Sequence, residues 1–332
     1  MHDSRIGAEE KMIGIKIDKN SKQEILKMVY DDAKGADTGL LSVLAVKKNK
    51  NWLQKNYPEL HNLFYSKGKV NECEVKKLLG ADRATLQNYI AKLGKYDKAK
   101  SDELQNRIFR YKNFSVRNVA YEILKKMNMQ VCPYCNRQYI VTLKNNKVRP
   151  QFDHYYPKSD YPYLALSVFN LIPCCSICNM AKTDLDTSAT PILYPYDEEF
   201  AYEIRFTIKE KDGINLFQYA SGRSDEFDVG ITNPNNVLLT ESTLQIEKLH
   251  LIELYNEHKD YVKAILRHHY VYTDKRIKEL YNSFPELFKS TDDVKNSMHM
   301  SYLQKEDWGK RPLAKLTCDI LDDIQGIVYV RP

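Results

Sequence analysis

Side chains able to do chemistry concentrate between residues 132 and 182, in CPYCNRQYI (132–140) and FDHYYPKSDYPYLALSVFNLIPCCSICNMAK (152–182). Cys132 and Cys135 form one C-x-x-C pair, and Cys175 and Cys178 form a second. Four thiolates spaced in this way make a closed tetrahedral zinc site, which supplies folding free energy to a segment with few core-forming residues. The competing reading is disulfides or scattered core thiols, and disulfides are rare in reducing compartments. Cys174 falls out of register with the pairs and reads as a small buried side chain, while Cys73 and Cys318 join no pattern.

The same stretch carries Asp153, His154, Asn170 and Asn179. A carboxylate, an imidazole and amides can hold a hard cation and activate a water. His154 is the candidate base. A neutral imidazole with an ordinary pKa of about 6.5 takes a proton from water near neutral pH, while the adjacent Asp153 can ligate a divalent ion. Phe152 closes a predicted strand, and a strand end is a rigid place from which to aim an imidazole into a cleft. A lone histidine is more often structural than catalytic, so the weight rests on its spacing from the other residues.

That spacing, Asp153-His154-x-x-Pro157, then Asn170-Leu171, then Cys175-x-x-Cys178-Asn179-x-x-Lys182, resembles an HNH endonuclease in its zinc-supported ββα-metal form. The resemblance is confined to this stretch, where order and gaps all fit. It implies that Asp153 ligates the catalytic metal and that His154 is the general base. It further implies that Asn170 orients the His154 ring and that Asn179 is the second metal ligand, where many members carry histidine. Lys182 would lie close to the nucleic-acid phosphate or brace the helix that carries Asn179. The implied reaction is phosphodiester hydrolysis, with magnesium or manganese in the oxygen-rich site and structural zinc on Cys132, Cys135, Cys175 and Cys178.

Double-stranded DNA is the favoured substrate. The alternatives are an RNA-cleaving nuclease and a non-catalytic zinc module that binds nucleic acid or a protein partner. The DHxxPKS-x-YPxLA and NLIPxC forms of the motif are also similar to HNH subunits of bacterial anti-phage systems, including Septu-type nucleases that partner an ATPase. This looser likeness implies a regulatory partner; no Walker-type phosphate loop occurs in the chain itself.

Around this stretch the composition is that of a soluble globular protein. The 332 residues allow about two domains, and 43% hydrophobic with 28% charged residues is ordinary. A net charge of +6 favours a polyanion only mildly. The start, MHDSRIGAEEKMIGIKIDKN, has neither an apolar h-region nor a cleavage site, and no apolar run approaches a membrane span, so a cytoplasmic protein is expected.

Residues 20–130 read as helical. Ser21-Lys22-Gln23-Glu24 resembles a capping box that opens a helix of about a dozen residues. CEVKKLLGADRATLQNYIAKLG reads as a helical hairpin, in preference to a DNA-binding helix-turn-helix, with its second helix opening near Arg83. A helix through Val119, Ile123 and Leu124 should end near Asn128. Between 92 and 117 basic residues outnumber acidic ones, and Tyr96, Phe109, Tyr111 and Phe114 are interleaved. That makes a candidate backbone-binding face, with an ordinary solvated helix face as its rival.

Residues 139–143 read as a strand, 144–147 as a turn and 148–152 as the returning strand; 162–169 then connects to a helix opening at Cys175. Tyr155, Tyr156, Tyr161 and Tyr163 are expected to pack more than to stack on bases. Alternation at Phe200, Tyr202, Ile204, Phe206 and Ile208 predicts a strand, Asp212-Gly213 its hairpin turn and 214–217 its partner. Helices follow from about Ser242, where His258, His268 and His269 lack acidic companions at metal spacing and read as surface or packing residues. A final helix covers 311–324. The fold class is therefore α+β: a helical N-terminal region (1–127), a central zinc-bound ββα-metal module (128–195), and a β-hairpin plus helical C-terminal region (196–332).

Overall fold

The first helix opens at Asp18 and not at the Ser21 capping box. Its carboxylate accepts the backbone N–H groups of Asn20 and Ser21, each at 2.9 Å, which satisfies two of the donors that a helix start leaves open. Helix α1 (Lys19–Gly35) then runs for 17 residues because Ile25, Val29 and Ala33 carry the buried stripe to its far end. The computed structural model describes residues 13–143, 148–198, 204–210, 218, 221–224, 226–232 and 239–324. These are mostly helical, with small antiparallel two-stranded sheets, in keeping with the α+β class.

Two compact units divide the chain, one of residues 15–129 and 140–191, the other of 13–14, 130–139 and the described residues from 192 onward. Residues 140–191 group with the N-terminal helices, and 130–139 with the residues from 192 onward. In that first unit α1 is followed by α2 (Leu40–Ala45), α3 (Lys47–Asn56) and α4 (Pro58–Phe64), then a short hairpin of β1 (Tyr65–Ser66) and β2 (Lys69–Val70). Next come α5 (Glu72–Leu79), α6 (Arg83–Leu93), α7 (Lys98–Leu104), α8 (Tyr111–Val116) and α9 (Asn118–Met127). The α5–α6 hairpin opens its second helix at Arg83, and α9 ends with Asn128 in the left-handed region.

In the 92–117 stretch two of the four interleaved aromatic residues turn inward. Phe109 and Phe114 are buried, the Tyr96 hydroxyl donates to Glu59, Lys95 pairs with Asp160 and Asp186, and Arg117 pairs with Asp32. Apolar rings interleaved with charges at helical spacing turn inward, and several of the charges find carboxylates.

The strands beside the candidate base also differ from expectation. β3 (Gln151–His154) pairs antiparallel with β4 (Leu171–Cys174), with His154 opposite Leu171 and Gln151 opposite Cys174. Of the expected hairpin there remains a hydrogen bond from Leu143 N–H to the Val148 carbonyl at 2.9 Å; its turn, 144–147, lies outside the described residues. Val141, Leu143 and Val148 are exposed, so their alternation faces no core. β4 is buried at every position and shows no alternation at all, which hid it from a period-two reading. Helix α10 (Ser176–Lys182) follows directly, with Cys175 as its N-cap. Tyr155, Tyr156, Tyr161 and Tyr163 are buried and pack edge to face.

In the second unit β5 (Arg205–Glu210) pairs antiparallel with β6 (Phe227–Thr232). Phe200, Tyr202, Asp212-Gly213 and 214–217 lie outside the described residues. Helices α11 (Leu239–Lys248), α12 (Leu251–Asn256), α13 (Lys259–Val271), α14 (Asp274–Ser283), α15 (Thr291–His299) and α16 (Ala314–Ile324) complete it. Two carboxylates of α16, Asp319 and Asp323, accept the β5 backbone N–H groups of Phe206 and Ile208 at 2.9 and 3.1 Å. Trp308, Ile13, Ala314 and Cys318 cluster beneath, and Trp308 Nε1 donates to Cys318 Sγ at 3.0 Å. His258 lies against Arg137 and His268 packs beside His299, as packing residues do. No helix among the described residues is long and apolar enough to cross a membrane.

Asp82 caps α6 through a 2.9 Å hydrogen bond from Thr85 N–H, and hydrogen bonds from Thr85 hold its carboxyl below the ordinary range. Asp82→Ala should cost about 1 kcal/mol in urea unfolding, and Asp82→Ser much less. Because the folded carboxyl is depressed, this contribution is present above the unfolded value of about 3.9 and lost as pH falls through the lower folded value. The difference between parent and Asp82→Ala should therefore shrink in acid.

Candidate functional site

Within the first unit lies a polar cleft of about 420 Å³ whose lining includes Asp153, His154, Asn179, Arg149, Lys158 and Tyr111. Adjacent strand residues point to opposite faces, so two neighbours can serve one cleft where their strand ends. Asp153 and His154 are the last two residues of β3. Asn179 reaches the cleft from α10 and Tyr111 from α8.

The His154 ring is 5% exposed, and its Nε2 lies 3.1 Å from the Ala165 carbonyl oxygen. A carbonyl can only accept, so Nε2 carries the proton and Nδ1 keeps the lone pair. The Tyr111 ring packs against the imidazole at 4.4 Å, tilted by 73°. Burial first, and the Lys158 charge second, push the imidazole down to about 3, which keeps the ring neutral near neutral pH.

Asp153 is 3% exposed and accepts from Lys182 Nζ at 3.1 Å. The same ammonium donates to the His154 carbonyl at 2.8 Å. Lys182 is 1% exposed, so it acts as a brace between α10 and β3 and does not reach a phosphate in the cleft. Asn179 donates Nδ2 to Gln151 Oε1 at 2.7 Å, which leaves its amide oxygen for a cation. Asn170 does not bond the His154 ring. Its side chain accepts from Tyr156 N–H at 2.8 Å and donates to the carbonyls of Tyr156 and Leu164 at 3.0 and 3.2 Å. Asn170 instead pins the two ends of the loop between β3 and β4, and Ala165, next to Leu164, holds the ring.

Arg149, Lys158 and Gln151 escaped the sequence reading as site residues, and Tyr111 entered it only as one ring of the 92–117 stretch. Arg149 donates to the carbonyls of Pro150 and Ser115 at 2.9 and 2.7 Å and stacks on Tyr121 and Phe152. Gln151 stands two residues before Asp153 on one strand, and that spacing was a usable signal of a shared face.

The thiols of Cys132, Cys135, Cys175 and Cys178 are buried, and their sulfurs all lie within 4.8 Å of one another. A tetrahedral zinc about 2.3 Å from each ligand sets its sulfurs about 3.8 Å apart, so the group could hold such a metal. Cys178 N–H points at Cys175 Sγ at 3.4 Å. Asn136, with φ of 46°, closes the turn after Cys135. Cys174 is buried outside this group, and no cysteine is bridged.

Lys182→Met would leave the buried Asp153 carboxylate without its ammonium, a change worth about 3–5 kcal/mol. Urea unfolding should register that loss, and adding Asp153→Asn should restore part of it. Compared with protein-family models, curated proteins and solved structures, the chain matches none. What the cleft can do is therefore read from its own residues.

Proposed function

We propose that this chain is a metal-dependent endonuclease of the HNH kind, hydrolysing phosphodiester bonds of nucleic acid, with double-stranded DNA favoured. The observation that carries the reading is one cleft holding a carboxylate, a neutral imidazole and an amide beside two cations, Arg149 and Lys158. A non-catalytic zinc module has no need of that set.

His154 takes the proton of the attacking water on Nδ1, the nitrogen left open by the Ala165 hydrogen bond. The carbonyl fixes the tautomer and stabilises the ring as it becomes cationic. Lys182 pairs with Asp153 and holds it in place. Asp153 and Asn179 are oxygen donors that suit magnesium or manganese, and they would hold it. When bound, such an ion supplies charge neutralisation on the phosphate and on the leaving oxygen. Arg149 and Lys158 attract the phosphate backbone. The four clustered cysteines would hold a structural zinc, which a thiolate donor set selects over a hard cation. The likeness to anti-phage subunits extends the proposal to a defence role with a regulatory ATPase partner. Co-purification from the native host tests that extension, and a chain that recovers no partner yet cleaves at full rate would end it.

The purified protein should cut plasmid DNA in magnesium or manganese, with total RNA as the parallel substrate. His154→Ala should lower the rate by about a hundred- to ten-thousand-fold while melting temperature and zinc content hold; cleavage near the parent rate would remove His154 as the base. Cys135→Ser should lose zinc, thermal stability and activity together. Metal analysis beside melting is the measurement, and full zinc with an unchanged melting temperature would count against Cys135 as a ligand.

A further inference from the structure

The backbone is irregular just before Tyr111. Residues Gln105–Phe109 form a π-helix, and Arg110 follows in the left-handed region with φ of 43° and ψ of 45°. Both features cost free energy for a non-glycine segment and tend to persist where a side chain has to be re-aimed. Here they break the helical run, so that α8 begins at Tyr111 and that residue lines the cleft. The short α8 is anchored further along its length, where Phe114 is buried and the Ser115 carbonyl accepts from Arg149.

The Tyr111 ring contacts two cleft residues. Its ring meets the His154 imidazole at 4.4 Å in an edge-type arrangement. Lys158 Nζ lies over the ring 5.9 Å from its centroid, a cation–π distance. Among the described residues Lys158 forms no ion pair with a carboxylate. The Ala165 hydrogen bond fixes one nitrogen of the imidazole but leaves the ring free to tilt about that bond. A second contact, made side-on by a large ring, removes the tilt.

We propose that Tyr111 is a positioning residue of the cleft, holding the His154 imidazole in one orientation and the Lys158 ammonium beside it as a contact for a substrate phosphate. The inference rests on the nuclease reading, and what it adds is a division of labour. Loss of the ring should affect the proton-transfer step through His154 and phosphate binding through Lys158, whereas loss of the hydroxyl should affect neither.

The test compares the parent with Tyr111→Phe, Tyr111→Leu, Lys158→Met and the Tyr111→Leu/Lys158→Met double variant on an oligonucleotide duplex in manganese. Tyr111→Leu should lower kcat by about a hundredfold, the scale of a small misplacement of a reacting group, and Tyr111→Phe should restore it. Lys158→Met should raise KM with little change in kcat, and should raise it less when Tyr111 is already leucine. If Tyr111→Leu does not fold, Tyr111→Met carries the same comparison. Imidazole nitrogen NMR supplies a readout that needs no cleavage. All three should keep the Nε2–H tautomer that the Ala165 carbonyl selects, but the parent and Tyr111→Phe should show narrow His154 ring signals and Tyr111→Leu signals broadened by ring motion. Equally narrow His154 signals in Tyr111→Leu, or equal losses in the phenylalanine and leucine variants, would overturn the proposal. A parent chain that shows the expected NMR pattern but cleaves no nucleic acid would instead overturn the nuclease reading.

Discussion

The cleft depends on one buried ammonium. Lys182, at the C-terminal end of α10, donates to the Asp153 carboxylate and to the His154 carbonyl, and so ties the helix to the end of β3. Placing a carboxylate and an ammonium out of water is costly unless they meet with good geometry and further hydrogen bonds. The helix can therefore sit in only a narrow range of positions relative to the strand. That restriction also positions Asn179, one turn earlier on the same helix, whose amide is held by Gln151 from β3.

A second layer of buried hydrogen bonds shapes the loop between β3 and β4. Asn170 bonds the Tyr156 backbone and the Leu164 carbonyl, Thr187 donates to the Tyr155 carbonyl, and Ser167 donates to the Leu78 carbonyl on α5. Each ties a side chain to a buried backbone group, of the loop itself or of α5. The outcome is a fixed Ala165 carbonyl, and through it a fixed tautomer of His154. The buried tyrosines around this loop supply apolar area and leave the loop little freedom to rearrange.

Electrostatically, the cleft combines groups that a merely structural pocket would keep apart. A neutral imidazole, a paired carboxylate and the cations Arg149 and Lys158 share one volume. Burial with Lys158 nearby is what keeps the imidazole neutral, and Arg149 is held rigidly between two rings and two carbonyls. It is this combination that the nuclease proposal draws on.

Much of the local structure was legible in the residues alone. Asp82 marks the start of α6 and Asn128 the end of α9, because caps act within one turn of chain. The two C-x-x-C pairs announce their grouping, since ligands two residues apart can share an ion in many backbone settings. The pairing of β3 with β4 was not legible, because a strand buried on every side loses the alternation that marks a strand. Nor could the residues reveal that Lys182 turns inward, that Asn170 holds a loop and leaves the ring to Ala165, or that Tyr111 and Arg149 enter the cleft. Those outcomes depend on contacts between segments far apart in the chain, where burial and partner geometry decide the position of a side chain and local pattern carries no record of it.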